Sequence, residues 1–320
     1  MLLCSRTPVA APIRMSARPT SFPPPLIILG SPRSFTSLIC GMVGQHPEAY
    51  GMPELNLFMS DSLKGFVEEL TGYRQIQIHG LLRAVAQLYG GEQTLLGIDM
   101  ARRWLLTRFG VSTTDVYVEL CRKVAPLRIV DKSPVYSLKP ENLRRIRAAF
   151  PDARYLHLLR HPRTQGESIM KVAKGLMATL ANSIDYSTDP PTIDPQLVWA
   201  DMQRHIMEFL ADIPAQHQLR LRGEEVLGDP HGQLGVICRW LGMSDAPGAI
   251  EAMLHPEDSP YACLGPVGAH LGNDINYLRD PTVRPGPVGT STLAGPLPWR
   301  PDGKGFEPRV IELARQLGYA

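Results

Sequence analysis

The sequence predicts an α/β fold in which helices cover both faces of a central parallel sheet. Short apolar runs, beginning with residues 26–29, alternate along the chain with longer segments whose apolar residues recur every three or four positions. Turn-forming Gly, Pro and Ser residues separate the two kinds of segment. Strands that alternate with helices are typical of parallel sheets, because each crossover helix packs back onto the sheet.

The elements follow in order along the chain. Strands are predicted at residues 26–29, 128–130, 155–159 and 218–222. Helices are predicted at residues 35–45, 140–150, from 162 onward, 196–211, 231–241 and 308–317, and most of residues 57–124 has a helical pattern. The Pro- and Gly-rich residues 254–302 are predicted to be loop. We expect one domain over residues 26–320, with a helical insertion at about 57–124.

Composition limits the class of protein. The chain has 320 residues, 44% of them hydrophobic and 20% charged, which is the balance of an ordinary globular protein. A net charge of +2 gives the whole molecule no electrostatic match for nucleic acid. No apolar run approaches the roughly 18–20 residues that span a bilayer. The chain has five cysteines, which are scattered along the sequence and include no Cys-x-x-Cys pair. They therefore predict a reducing, cytoplasmic setting with neither a disulfide framework nor a zinc site.

The first 25 residues differ from the rest of the chain. They contain six prolines, three arginines and no acidic residue. We expect a disordered tail; a transit peptide, or a true start at Met15, are the alternatives.

Residues 30–37, the anion loop, lie between the first strand and the first helix. Their sequence is Gly-Ser-Pro-Arg-Ser-Phe-Thr-Ser. A loop at a helix N-terminus presents free backbone N–H groups and the positive end of the helix dipole, which together bind phosphate or sulfate. Arg33 adds a fixed charge and Ser34, Thr36 and Ser37 add hydroxyls. The terminal Gly-Lys of a nucleotide triphosphatase loop is missing. On this loop alone, an ordinary capped helix is an equal alternative.

A second anion site is predicted where the strand at 155–159 ends. Arg160 follows that strand, Pro162 starts a helix, and Ser168 lies about two turns into it. A charge at the carboxyl end of an inner strand sits at the crevice where open α/β sheets bind ligands. Two such sites suggest a ligand with two separated phosphate-like groups. The nearby arginines at 144, 145 and 147 are better explained as a solvated helix face.

Taken together, these residues resemble the sulfotransferases that use 3′-phosphoadenosine 5′-phosphosulfate (PAPS), closest to the branch with tyrosylprotein sulfotransferases and many bacterial members. The family motif Pro-Lys/Arg-Ser-Gly-Thr-Thr cradles the 5′-phosphosulfate, and residues 32–37 match it in order except that Phe35 replaces the glycine. An Arg with a Ser eight residues later holds the 3′-phosphate, as Arg160 and Ser168 would here. The resemblance covers about residues 26–241. It implies a P-loop-like three-layer fold around the parallel sheet.

The resemblance also implies catalytic residues. In that branch a Glu about twenty residues after the loop Arg is the base, and Glu54 stands at that position. A Lys-x-Pro follows the next strand, as Lys132 does here. The implied reaction moves a sulfuryl group from PAPS to an acceptor hydroxyl and releases the 3′,5′-bisphosphate PAP, without a metal. Glu54 would take the acceptor proton, while Arg33 and Lys132 would stabilise the departing charge.

Several points stay open in the sequence. Without a left-handed glycine, the loop at Phe35 must approach PAPS differently. No Arg-Lys-Gly loop is present near the C-terminus; Arg279, Arg284 and Lys304 lie in a comparable region without an assigned role. Side chains at 58, 59, 66 and 73 are candidates for an acceptor pocket, but core packing suits most of them better. The acceptor is a small-molecule or carrier-bound hydroxyl of unknown identity. A P-loop kinase or nucleotide-binding protein, or a non-catalytic PAP-binding relative, are the alternatives.

Overall fold

The computed structural model describes residues 22–284, 286, 289 and 291–320. The expected N-terminal tail therefore lies almost entirely outside the described residues. Within the described part of the chain, no helix is both long enough and apolar enough to cross a membrane.

A five-stranded parallel sheet forms the centre of the molecule. Its strands are β1 (Leu26–Leu29), β2 (Ala49–Gly51), β3 (Arg128–Asp131), β4 (Arg154–Leu159) and β7 (Gln218–Arg222). They lie side by side in the order β2-β3-β1-β4-β7. A two-stranded antiparallel hairpin, β5 (Ile184–Asp185) with β6 (Thr192–Ile193), stands apart from it. Because all five central strands run the same way, their carboxyl ends share one edge of the sheet.

Fourteen α-helices occur in the described residues. They are α1 (Thr36–Gly44), α2 (Leu63–Glu69), α3 (His79–Val85), α4 (Leu95–Leu106), α5 (Thr113–Val124), α6 (Pro140–Ala149), α7 (Pro162–Lys171), α8 (Leu176–Leu180), α9 (Pro195–Ala211), α10 (Gly223–Gly228), α11 (Pro230–Leu241), α12 (Pro247–Met253), α13 (Ile275–Arg279) and α14 (Pro308–Gln316). Helices α2 to α5 form the stretch between β2 and β3, as the helical pattern of residues 57–124 predicts.

Two hydrophobic cores lie on the two faces of the sheet. Alternate residues of β1 divide between them: Ile27 and Leu29 join one core, and Leu26 and Ile28 join the other. This division follows from the two-residue period of a strand. The continuous apolar sequence of β1 is thus explained by burial on both sides, and the three-layer α/β prediction is confirmed.

The structure corrects the sequence prediction in two places that matter for the site. Residues 49–51 form a fifth strand, which the sequence analysis missed because three residues are too few for a periodic pattern. Part of the predicted loop at 254–302 is helical: the five-residue helix α13 is capped by the Asp274 carboxylate, which accepts a hydrogen bond from the backbone of Asn276. Strand β2 packs against α1, and Asp274, which caps α13, forms an ion pair with Arg33 in the anion loop.

Candidate active site

The anion loop joins β1 to α1 in an unusual backbone conformation. Arg33 and Phe35 both adopt left-handed conformations, with φ angles of 67° and 61°. For a residue with a Cβ atom this costs roughly 1–2 kcal/mol, so the surroundings must impose it. At the N-terminus of α1 no side chain caps the helix. Its first backbone N–H groups are therefore available to an anionic ligand.

Phe35 adopts the left-handed backbone conformation that a glycine adopts most easily. Replacement of the family's glycine by Phe35 therefore does not change the backbone conformation in the way that the sequence suggested. Its ring lies under the guanidinium of Arg160, whose Cζ atom is 4.2 Å from the ring centroid. On another side, a Cβ atom added to Gly223 would come within 2.5 Å of the ring. The missing side chain at Gly223 therefore makes room for the ring, and the cation–π contact with Arg160 helps to hold it there.

Arg33 is the central cation of the loop and is 8% exposed. Its Nε donates to Ser168 Oγ at 3.0 Å, and its Nη1 forms an ion pair with Asp274. Burial lowers the pKa of the Arg33 guanidinium from its ordinary value. The predicted residues of the first and second anion sites are thus one connected group, because Ser168 contacts Arg33 directly.

Arg160 lies at the carboxyl end of β4, as predicted. Its Nη1 donates to the Arg33 carbonyl oxygen at 2.6 Å, and its Nε donates to Thr164 Oγ1 at 3.2 Å. Burial lowers the pKa of Arg160 to about 10, which still leaves it charged at neutral pH. No carboxylate forms an ion pair with Arg160 among the residues that the structure describes. Arg160 is therefore a second cation of the site that is available to an anionic group of a ligand.

A cavity of about 380 Å³ opens in front of these residues. Its walls come from the anion loop and α1, from the residue that follows β4, from α7 and α10, and from the region of α13; they are Arg33, Phe35, Thr36, Ser37, Leu38, Arg160, Ser168, Leu227, Asp274, Asn276, Tyr277, Asp280, Thr282 and Arg284. Three arginines face two aspartates, which gives the lining a net charge of +1. Ser34 does not line the cavity; its Oγ is 2.9 Å from Ser31 Oγ inside the loop.

Glu54 and Lys132 meet at the same edge of the sheet. Glu54 follows β2 and Lys132 follows β3, two strands that pair in parallel. The Lys132 ammonium group is buried and forms an ion pair with the Glu54 carboxylate, which is one quarter exposed. Neighbouring Asp131 is fully buried and accepts hydrogen bonds from Ser133 Oγ and Tyr136 OH. The two predicted catalytic side chains are therefore in direct contact.

A short piece of backbone links this ion pair to the anion loop. The Glu54 backbone N–H donates to the Gly272 carbonyl oxygen at 2.7 Å, and the Asp274 N–H donates to Ser37 Oγ at 3.1 Å. Two residue steps separate Gly272 from Asp274, a span of at most about 7 Å. Glu54 therefore lies beside the loop, although neither Glu54 nor Lys132 lines the cavity itself.

Apart from Arg284, the C-terminal wall of the cavity was not predicted from the sequence. Asp274, Asn276, Tyr277, Asp280 and Thr282 had no motif to single them out, and their helix is too short for a periodicity signal. Of the three basic residues left unassigned, Arg284 lines the cavity and pairs with Asp280, whereas Lys304 pairs with Asp302. The Pro-Gly-rich tail therefore contributes to the site.

The acceptor-pocket candidates from the sequence do not line the cavity, and neither do the histidines at positions 46 and 157. Phe58 and Phe66 are fully buried in a hydrophobic core, and Tyr73 is 73% exposed. His157 is buried between Gln203 and Arg220, and burial lowers its pKa to about 3. His46 contacts the carbonyl oxygen of Ser244. None of these side chains lines the described cavity.

Comparison with known proteins points to one family. The model of the sulfotransferase family matches residues 24–247, which is more than half of the chain. No curated protein sequence matches significantly.

Solved structures share the fold, among them two sulfotransferase domains. The chain is similar to the sulfotransferase domain from the curacin biosynthetic pathway, with 24% identity, a TM-score of 0.73 and coverage of 93% of this chain and 98% of that one. It is similar to the sulfotransferase domain from the Synechococcus PCC 7002 olefin synthase to the same degree, with 24% identity, a TM-score of 0.73 and coverage of 96% and 99%.

Proposed function

The chain belongs to the sulfotransferase family, and we propose that it transfers a sulfuryl group from PAPS to an acceptor hydroxyl and releases PAP. The observation that carries the proposal is the cavity that joins Arg33, Arg160 and Ser168 at the uncapped N-terminus of α1. PAPS has a phosphosulfate and a separate 3′-phosphate, which is the charge distribution that two adjacent cationic groups fit. Residues 26–320 would form one catalytic domain, with residues 57–124 as its helical insertion.

The donor would bind through two groups of residues. The backbone N–H groups of the anion loop, with Arg33 and the hydroxyls of Thr36 and Ser37, would hold the phosphosulfate. Ser34 would act from inside the loop by fixing its shape, since its hydroxyl is bonded to Ser31. Arg160 and Ser168 would hold the 3′-phosphate, and the ring of Phe35 would keep the Arg160 guanidinium in place.

The chemistry would need the acceptor oxygen, the sulfur and the leaving oxygen in line. The acceptor oxygen forms a bond to sulfur while the bond from sulfur to the 5′-phosphate oxygen breaks. Glu54 would take the acceptor proton, and Arg33 and Lys132 would stabilise the negative charge that builds on the leaving phosphate. Contact between Lys132 and Glu54 supports this division, because the ion pair fixes the orientation of the carboxylate beside the anion loop.

The test is ligand selectivity followed by turnover. Calorimetry should find that PAP binds about 10- to 100-fold more tightly than AMP, since one charge-assisted contact to the 3′-phosphate contributes on the order of 1.5–3 kcal/mol. The Arg160→Ala variant should lose most of this difference and keep its fold. Equal affinities for PAP and AMP, or tighter binding of ATP, would favour a nucleotide-binding protein instead.

Turnover separates an enzyme from a protein that merely binds PAP. Incubation with ³⁵S-labelled PAPS and a pool of hydroxyl-bearing metabolites should yield labelled products, whose masses would identify the acceptor. Tight PAP binding with no labelled product from free alcohols, phenols or carrier-bound hydroxyls would indicate a non-catalytic relative.

A further inference from the structure

Arg83, in helix α3, is fully buried although it carries a charge. Its Nε donates to Gln93 Oε1 at 2.5 Å, its Nη1 donates to the Leu271 carbonyl oxygen at 3.0 Å, and its Nη2 lies 3.8 Å from Cys263 Sγ. No carboxylate pairs with it in the part of the chain that the structure describes. Burying a guanidinium without an acidic partner costs free energy of desolvation. Hydrogen bonds to neutral acceptors must offset that cost, so these acceptors have to be held in fixed positions.

Those acceptors belong mostly to one segment, residues 260–274, which we name the C-terminal strap. Besides the contacts of Arg83, the strap is held by Gln93, whose Nε2 donates to the Pro260 carbonyl oxygen at 2.6 Å. Helix α4 adds a contact from the exposed side, where Arg102 Nη2 donates to the Gly268 carbonyl oxygen at 3.1 Å. The strap is therefore fastened to the helical insertion at several points, and Arg83 is the buried one.

The strap connects the Arg83 contacts to the backbone of Glu54. The Leu271 carbonyl oxygen that Arg83 binds precedes the Gly272 carbonyl oxygen, which accepts the Glu54 backbone N–H at 2.7 Å. Helix α3 also meets Glu54 directly, because a Cβ atom added to Gly80 would lie 2.0 Å from the Glu54 carbonyl oxygen. The backbone of Glu54 is thus enclosed between α3 and the strap, and Arg83 joins those two elements.

We propose that Arg83 is a positioning residue that fixes the carboxylate of Glu54 for proton transfer, acting through the Leu271–Gly272 backbone. The inference rests on the proposed role of Glu54 as the base. Loss of the Arg83 contact removes the fully buried attachment of the strap to α3 and lets the Glu54 backbone shift. A displacement of about 1 Å in a reacting group costs on the order of 10²-fold in rate.

The experiment is a double-mutant cycle between Arg83→Gln and Glu54→Gln, with Arg102→Gln as the matched control. Arg102 holds the same strap but contacts it at an exposed position away from Glu54. We expect Arg83→Gln to lower kcat for an alkyl alcohol about 10- to 100-fold, with the Kd for PAP changed less than about threefold. Arg102→Gln should stay within about twofold of the parent. In the Glu54→Gln background, Arg83→Gln should cost less than about twofold more, because there is no base left to misplace.

Acceptor reactivity supplies a readout that a stability defect would not change. A phenol, whose lower pKa needs less help from a base, should lose less activity in Arg83→Gln than an alkyl alcohol does. Equal losses for both acceptors, a loss that persists in the Glu54→Gln background, or a change confined to KM would each overturn the positioning role. Near-normal turnover by Glu54→Gln alone would refute the base assignment and this inference with it. If Glu54→Gln is strongly slowed and Arg83→Gln still adds its full loss in that background, the inference alone is refuted.

A second variant tests the same proposal in case Arg83→Gln does not fold. Gln93→Ala keeps the buried arginine but removes the acceptor of its Nε and the donor to Pro260. We expect a loss of about three- to tenfold in kcat that again disappears in the Glu54→Gln background. A folded Gln93→Ala variant with parental kcat would count against the proposal.

Discussion

The two ends of the proposed active site handle charge in opposite ways. At the donor end, Arg33 and Arg160 line an open cavity and outnumber the carboxylate, Asp274, that reaches them. At the acceptor end, Glu54 and Lys132 neutralise each other and lie outside the cavity lining. In the proposed reaction the donor end would bind an anion, whereas the acceptor end would hold the Glu54 carboxylate in a fixed orientation through its ion pair with Lys132.

This difference in charge predicts that Arg33 and Arg160 bind the donor, whereas Glu54 acts on the acceptor. Substitutions at the donor end should change the affinity for PAPS and PAP together with the rate. Substitution of Glu54 at the acceptor end should change the rate and leave the affinity for PAP nearly as it was. The predictions that follow test this separation.

The largest effect is expected at Glu54. Glu54→Gln keeps the size of the side chain but removes the proton acceptor, and general-base assistance contributes roughly 10²–10⁴ in rate. We expect that loss in kcat for an alkyl alcohol, with PAP affinity by calorimetry unchanged within about threefold. Near-normal turnover of the alcohol, with lower thermal stability, would show that Glu54 is a structural partner of Lys132. The acceptor end would then have no role in proton transfer.

The next effect is expected at Arg33. Removal of a charge-stabilising donor typically costs about 10²–10³ in rate. Arg33→Ala should lower turnover by that factor and should also weaken PAPS more than PAP, because the phosphosulfate end faces this side chain. Single-turnover kinetics and calorimetry measure the two effects. A rate within about threefold of the parent would mean that the anion loop does not hold the transferring group.

How far the sequence predicts this site depends on the kind of element. The anion loop and β4 were predictable because a basic residue follows a buried strand, which a pattern of residue types can show. The resemblance singled out Glu54 and Lys132, and the structure brings them into contact. The conformation of Phe35 was not predictable, because it depends on Gly223, which is 188 positions away in the chain.

The C-terminal wall was hidden for a different reason. Asp274 and its neighbours belong to a Pro-Gly-rich segment without periodicity, and α13 has only five residues. Their place at the cavity follows from tertiary contacts with Arg33 and Ser37, which have no local signature in the sequence. The same applies to Arg83, whose partners lie up to 188 positions away.

Stability should depend on pH through the acceptor end. Burial raises the pKa of Asp131 from its ordinary value of 3.8 to about 7, so the folded protein holds a proton there that the unfolded chain releases above pH 4. The stabilising contribution is therefore present below about pH 4 and is lost as pH rises through 7. Relative to Asp131→Asn, which has no such titration, we expect the Tm of the parent to fall by at least about 2 °C between pH 4.5 and 8. Parallel Tm profiles for the two proteins would show that Asp131 titrates normally.

The smallest effect is expected at Asp274, which shares Arg33 with the proposed ligand. Its carboxylate forms an ion pair with Arg33 at the place where an anion would bind. Asp274→Asn removes that charge from the cavity but retains a residue that caps α13 well. One charge–charge interaction in a wet site is worth about 1 kcal/mol, so PAP should bind about fivefold more tightly to the variant.

The gain should shrink at high salt, where such interactions are screened. The matched variant Asn276→Asp adds a charge to the same helix and cavity and should weaken PAP by a similar factor. Calorimetry at low and high salt measures all three proteins. Weaker PAP binding by Asp274→Asn would show instead that the carboxylate holds Arg33 in the geometry that the ligand requires. The donor end would then resemble the acceptor end, with a cation that works only while an acid orients it.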